Sequence, residues 1–540
     1  MVILRLWFHE KKLRTVSFNK GDIMKKLIAL ILFVALLLTS CVGNNNNDNN
    51  VDSGNSGNSD GSDNIGGTDD SGTQGGGNTN TPVFSGAIGS DGNSYGSDLD
   101  DLGAYDGLFE GSSKDVVVKC VSGTSGCYKI EGNTIVFTPI SAESVYSISG
   151  KFSGNIVINV GNSYKFELEL SGFSLTCDST NPITVFSGDE VSIQAKKNTN
   201  NYIYDLRPSI PETDTDSIAD AIYSEVDLEI SGKGKLFVVS DGNNGIHSKK
   251  DLQVKNLDLT VSCQDNALKG NDSVELEAAT CTLIATHGDC IKTSNSDISN
   301  KGNQRGTVTA TGGSYKLYSA CDGIDAAYDV VVNDGTDLSI FTDKLSIHTE
   351  KSGGATSAKG IKAANKITLN GGNIQIASVD NAIHASKDTA LENGQNPRGS
   401  ISLNGGNLSL YSLAEGLHSD GVIYVKGGRT LVVTTSVGYS AINAVEGYSY
   451  TAGQLVAIMP DGESAATATD CTNFDKVGNR ASLSLKAGEY LTCTVGQGKL
   501  ILKLPVTLSA CIVMLGSSDA SATVSADSQP DLSLGQLVWE

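Results

Sequence analysis

Basic residues are scarce. The 540-residue chain has 39 Lys and Arg against 61 Asp and Glu, a net charge of −22. That balance excludes nucleic acid as the main partner, since a polyanion would be repelled. Zinc chemistry has no footing in the sequence: there is no Cys-x-x-Cys pair, and the six histidines are scattered. His-Glu-x-x-His and P-loop patterns are missing, which excludes the metalloprotease and nucleotide chemistries they serve. Proline is rare, 9 residues against 61 glycines. With abundant Ser, Thr, Asn and Asp, this mix suits many short strands joined by turns.

Only one long apolar run occurs, Leu27 to Leu38, directly after Met24, Lys25 and Lys26. It has the length of a secretion signal and is short for a membrane span, which needs about 20 residues. It ends in Leu38-Thr39-Ser40-Cys41, similar to a bacterial lipobox. Lipidation of Cys41 is therefore expected, with residues 1–41 an upstream extension plus signal peptide. An ordinary signal with a chance cysteine is the competing reading. Val42 rather than aspartate follows the cysteine, which favours the outer membrane or cell surface, with membrane contact through the lipid alone. Residues 42–100, rich in Asn, Gly, Ser and Asp, have almost nothing to bury and are expected to form a disordered linker. Cys120 and Cys127 are the nearest pair for a disulfide, unless the cysteines serve as small core residues.

From residue 101 a repeat emerges. Its centres are Ile222, Ile246, Leu268, Ile291, Ile324, Ile361, Ile383, Leu417 and Ile442, with a weaker member at Ile183. Successive centres lie 22–25 residues apart, or 33–37 where residues are inserted near 294–306, 340–357 and 388–400. The residue before each centre is small, and so is the second residue after it. Alternating apolar pairs follow, such as Ile367/Leu369, and then a third alternating run. Three short strands of period two cannot close a core alone, so the coils must stack. The expected fold is all-β: a right-handed, single-stranded parallel β-helix over 101–448, with a C-terminal β-strand cap over 449–540.

The ordered series "SISGKFSGNIVINV" (147–160), "NNGIHSKKDLQV" (243–254), "CDGIDAAYDVVV" (321–332) and "KGIKAANKITLNGGNIQI" (359–376) resembles exported bacterial carbohydrate-binding proteins. Their parallel β-helix is similar to that of family nine polysaccharide lyases. The resemblance covers about residues 130–540. It implies calcium and the binding of plant cell-wall polysaccharide, including acidic pectic chains, and it does not imply lyase activity. This chain departs from the pattern with Leu268 and Leu417 at centres and with Cys290 and Cys321 in the motif.

Two columns of the repeat carry chemistry. Two residues before the centres stand Asp220, Asn244, Asn266, Asp289, Asp322, Lys359, Asn381, Glu415 and Ser440. Stacked amides can form a ladder, whereas stacked carboxylates repel at a coil spacing of about 4.8 Å. Asp265, Asp289, Asp322 and Asp325 are the candidate ligands for calcium, a hard cation that takes six to eight oxygens; a solvated acidic ridge is the alternative. One residue after the centres, Lys269, Lys292, Lys362, His384 and His418 form a basic stripe that suits the carboxylates of an acidic, pectin- or polygalacturonate-like glycan. A solvated ladder is the plainer reading. Tyr223, Tyr315, Tyr318 and Tyr328 are candidate stacking faces. The function expected is a surface-anchored protein that binds polysaccharide with calcium. The alternatives are a calcium-dependent lyase with Lys269 or Lys292 as base, and a non-catalytic adhesin.

Overall fold

The computed structural model describes residues 103–208, 219–342, 357–387, 396–460, 479–515, 520–526 and 531–540. Cys41, the signal and the linker lie outside the described residues, as does the body of the second and third insertions.

Strand period and turn residues explain the coil. In one turn, Ile361–Ala363, Lys366–Leu369 and Asn373–Ser378 are three short strands. Ile361, Ile367, Leu369, Ile374 and Ile376 all point inward and are fully buried. A glycine closes the turn into the third strand where φ is positive: Gly372, Gly406, Gly428 and Gly453 repeat at φ of 86°, 85°, 80° and 106°. Each strand then pairs in parallel with its equivalent one coil later: Ile361 with Ile383, Ile367 with Ile401, Ile374 with Leu408. The stack is a parallel β-helix.

The centres fall in one register. Ile156, Ile183, Ile222, Ile246, Leu268, Ile291, Ile324, Ile361, Ile383, Leu417 and Ile442 pair one to the next along a single sheet of short strands. Leucine at 268 and 417 costs the column nothing in burial, since both side chains are fully enclosed. The second and third strands of each coil build a larger sheet around the same core. The insertion at 294–306 loops out between Ile291–Lys292 and Thr307–Thr311, held by Arg305 on Asp272 and Asp297.

The ends differ from the coils. Lys114–Ser122 lies antiparallel on Ser144–Ser153, and Tyr128–Glu131 lies antiparallel on Thr134–Phe137. At the far end, the parallel ladder runs on through Tyr448–Tyr450 and Gln454–Pro460, past the expected boundary at 448. Leu508–Leu515 then turns antiparallel onto Gln454–Pro460. A small antiparallel sheet made of Tyr490–Val495, Gly498–Lys503, Ser521–Ser525 and Leu537–Trp539 follows. It packs on the flank of the last coils, where Tyr411, Leu431, Val433, Val456 and Ile458 form one core with Leu491, Leu500 and Leu502. The cap thus covers the side of the helix as well as continuing its end.

Cys120 and Cys127 are free thiols, so the local bridge is not formed. Cys263, Cys281 and Cys290 are buried among the aliphatic residues, and burial pushes their thiols well up. They act as small core residues.

Candidate functional site

The column two residues before the centres is a ladder of hydrogen bonds. Asn244 Nδ2 donates to Asp220 Oδ1 (2.7 Å), and the backbone N–H of Asn266 and its Nδ2 both donate to Asn244 Oδ1 (3.0 and 2.8 Å). Asn266 Oδ1 accepts from Asp289 N–H (3.4 Å), Asp289 Oδ1 from Asp322 N–H (2.8 Å), and Asp322 Oδ1 from Lys359 N–H (2.7 Å). Asn381 Oδ1 continues the pattern toward Glu415 N–H at 3.0 Å. From Asn244 onward each side-chain oxygen thus satisfies a main-chain donor of the next coil. Asp289 and Asp322 occupy positions in this ladder, where an aspartate oxygen serves as well as an asparagine oxygen.

The column one residue after the centres leans over that ladder. Lys292 Nζ lies 2.7 Å from Asp289 and 3.1 Å from Asp325. Lys362 Nζ lies 3.3 Å from Asp325 and 3.4 Å from Asp322. His247 Nδ1 meets Asp220 Oδ2 at 2.8 Å. Burial pushes Asp289 up to about 7, with Lys292 pulling the other way. Burial also raises Asp322. Burial pushes Asp325 upward as well, but Lys292 and Lys362 together overcome it and hold Asp325 down at about 2. Burial opposes charge on Lys292 and Lys362 too, but the aspartates win and hold both protons more tightly than usual.

Calcium does not fit the four aspartates expected to hold it. Among the described residues, no three of Asp265, Asp289, Asp322 and Asp325 bring ligand oxygens within 4.8 Å of one another. Asp265 sits against Gly288 of the next coil. The Asp289 and Asp322 oxygens already accept main-chain hydrogens, and two ammonium groups stand where a cation would. A shell of six to eight oxygens is not available without displacing both lysines.

Of the basic stripe, Lys269 lies in register between His247 and Lys292. Lys292 and Lys362 remain partly open, with side chains 31% and 33% exposed. His384 departs from a cationic role. His384 stacks on His418, ring centroids 4.3 Å apart. Burial, with His418 and Lys359 beside it, lowers His384 to about 4, so it is neutral near pH 7 and offers no cation to a uronate. Tyr223, Tyr315 and Tyr318 are buried, Tyr315 in the core of the coil, Tyr223 against His247 and Tyr318 stacked on Phe341; Tyr328 alone of the four is half-exposed. Sequence reasoning missed Asp220 as the partner of His247 and Asp420 as the partner of His418 (3.3 Å). Asp420 belongs to the column three residues past the centres, which carries no visible charge pattern of its own. A separate groove of about 390 Å³ is lined by Glu190, Asp227, Glu229, Asp251 and Glu275 with Lys255, and it is acidic.

These columns lie inside a stretch with recognisable relatives. Residues 131–397 match the family of carbohydrate-binding domain-containing proteins. A carbohydrate-binding domain-containing protein of Acetivibrio thermocellus is 32% identical over 124 residues, 23% of this chain and 43% of that protein. The match therefore spans less than half of that relative's length. A polysaccharide lyase-like protein from C. thermocellum, solved as a gadolinium derivative, is similar at 27% identity and a TM-score of 0.36, over 41% of this chain and 86% of that one. The carbohydrate-binding match takes in the ladder from Asp220 to Asn381 and the stripe from His247 to His384. His418 and Asp420 lie beyond its end.

Proposed function

We propose that the chain binds an acidic polysaccharide along the row His247, Lys269, Lys292, Asp325, Lys362, His384, His418 and Asn443. One observation carries the reading: these eight positions all keep some exposure, least at His247 and His384 with 12% of the side chain, while their neighbours on the same short strands are buried. At about 4.8 Å per coil the row is about 34 Å long, a flat polar track suited to an extended chain molecule rather than a small ligand. The match to carbohydrate-binding domains supports the ligand class. Lys269, Lys292 and Lys362 supply the positive charge in an otherwise acidic protein, and a glycan carboxylate would share Lys292 and Lys362 with the aspartates beneath them. Calcium takes no part in this contact. Lys292, one of the two candidate lyase bases, holds its proton more tightly than usual beside Asp289 and Asp325, which speaks against that role for it. In the same reading, the leader and a lipid on Cys41 hold the domain at the outer membrane or cell surface, which mass spectrometry of the mature N-terminus would test.

Affinity electrophoresis of the full chain through polygalacturonate gels, with calcium and then with chelator, tests the ligand. Retardation in both gels, lost in the triple variant Lys269→Ala, Lys292→Ala, Lys362→Ala, is the expected result. Unchanged mobility of the wild-type chain in both gels would overturn the acidic-glycan reading and leave the row a solvated face.

A further inference from the structure

His384 and His418 are 34 residues apart in the chain and adjacent in the fold, paired in register on neighbouring coils. Both ring nitrogens of His384 are buried and have no hydrogen-bond partner. A buried imidazole with neither nitrogen satisfied is costly, because it has given up water for nothing. Asp420 Oδ1 lies 3.8 Å from His384 Nε2 and 3.3 Å from His418 Nε2. The other oxygen of that carboxylate accepts the main-chain N–H of Lys387 at 2.7 Å, which fixes its direction.

We propose that His384, His418 and Asp420 form a site for one divalent first-row transition-metal ion, zinc in type, with its fourth position open. Among the described residues this is the one group of three or more His, Cys, Asp or Glu whose ligand atoms all lie within 4.8 Å of one another. Tetrahedral zinc with bonds of about 2.0–2.1 Å holds its ligand atoms roughly 3.3 Å apart, so ring rotation and a small contraction close the site. Two imidazoles and one carboxylate suit a borderline ion such as zinc, not calcium. For His418 to ligate through Nε2, its Nδ1 must carry the hydrogen. Nδ1 now faces the Asn381 amide nitrogen at 3.2 Å, with Glu415 Oε2 beyond it at 4.0 Å, so binding the ion requires the ring to turn its Nδ1–H from that amide toward the carboxylate. The fourth position is left for water or a ligand oxygen. Metal binding here does not depend on whether the row binds glycan.

The test is a Co²⁺ titration of the untagged full chain, read by visible absorption. A tetrahedral cobalt band that saturates at one equivalent, and that one equivalent of Zn²⁺ abolishes, is expected. The double variant His384→Ala, His418→Ala should bind at least ~100-fold more weakly, and so should Asp420→Ala. Folding is controlled by thermal midpoints: Zn²⁺ should raise the wild-type midpoint and leave that of the double variant unchanged, while the metal-free midpoints stay close. No visible band, an unchanged band in the double variant, or a thiolate-to-cobalt charge-transfer band would each overturn the site, the last by placing the metal on cysteine.

Discussion

Replacing Asp289 by asparagine isolates the cost of a charge inside the ladder. The amide oxygen introduced by Asp289→Asn can keep the hydrogen bond that Asp289 Oδ1 accepts from Asp322 N–H at 2.8 Å. Lys292 keeps Asp325 at 3.1 Å as a partner. What the change removes is a carboxyl group that burial raises from its ordinary 3.8 to about 7. At about 1.36 kcal/mol per pH unit, a shift of about 3 units amounts to on the order of 4 kcal/mol. The folded-state value is raised, so the folded chain binds the proton more tightly than the unfolded chain. Stability from that proton is full below about pH 4 and is lost as pH rises through 7. Asp289→Asn should therefore match the wild type near pH 4 and gain on it by up to about 1.4 kcal/mol per pH unit until pH 7, then level off. Denaturant unfolding of both chains at steps from about pH 4.5 to 8.5 measures the difference. A solenoid unfolds in neighbouring blocks, so hydrogen exchange of the coils centred on Ile291 and Ile324 gives the local value. A difference that is constant with pH, or a variant that is weaker throughout at pH 8, would refute the reasoning.

Other perturbations read other parts of the fold. The same titration of Asp289 frees Lys292 for a glycan, so retardation by polygalacturonate should strengthen from pH 8 to pH 6 in the wild type and stay flat in Asp289→Asn. Asn244→Ala leaves the Asn266 N–H and Nδ2 without an acceptor and Asp220 Oδ1 without the Asn244 donor, and should cost about 1–3 kcal/mol in thermal or denaturant unfolding. Gly360→Ala should also destabilise, by about 1–3 kcal/mol, because its methyl would sit 2.5 Å from Ala382 O and 2.3 Å from Ile376 Cγ2. Ala267 and Ala382 tolerate a methyl in the same column, so a neutral Gly360→Ala would show that the coil can shift to admit one.

The coil register was legible from the chain alone because period-two burial and glycine turns repeat along it. Ile222 through Ile442 could be aligned by counting, and the structure pairs them in that order. The small residues before each centre were legible for the same reason, since they face a neighbouring coil at backbone distance. The aspartates were harder. Asp289 and Asp322 look like a cation site in a column of letters, but whether an oxygen faces a metal or a main-chain N–H depends on side-chain rotation and burial. Tyr223, Tyr315 and Tyr318 fail as surface residues on the same ground: a ring packs into whatever room its coil leaves. His384 and His418 stood in adjacent rows of the repeat, but Asp420 enters from a column with no pattern. Only packing shows that both nitrogens of His384 are buried and unpartnered.

The sequence by itself therefore determined the all-β repeat, its register and the row of side chains on one sheet, because each follows from the chemistry of neighbours along the chain. Only the tertiary structure decided which charges cancel, where the cap packs, and which three side chains converge at His384. Those depend on contacts between coils, where distances of 3 to 4 Å separate an ion pair from a ligand group and no spacing in the chain records the difference.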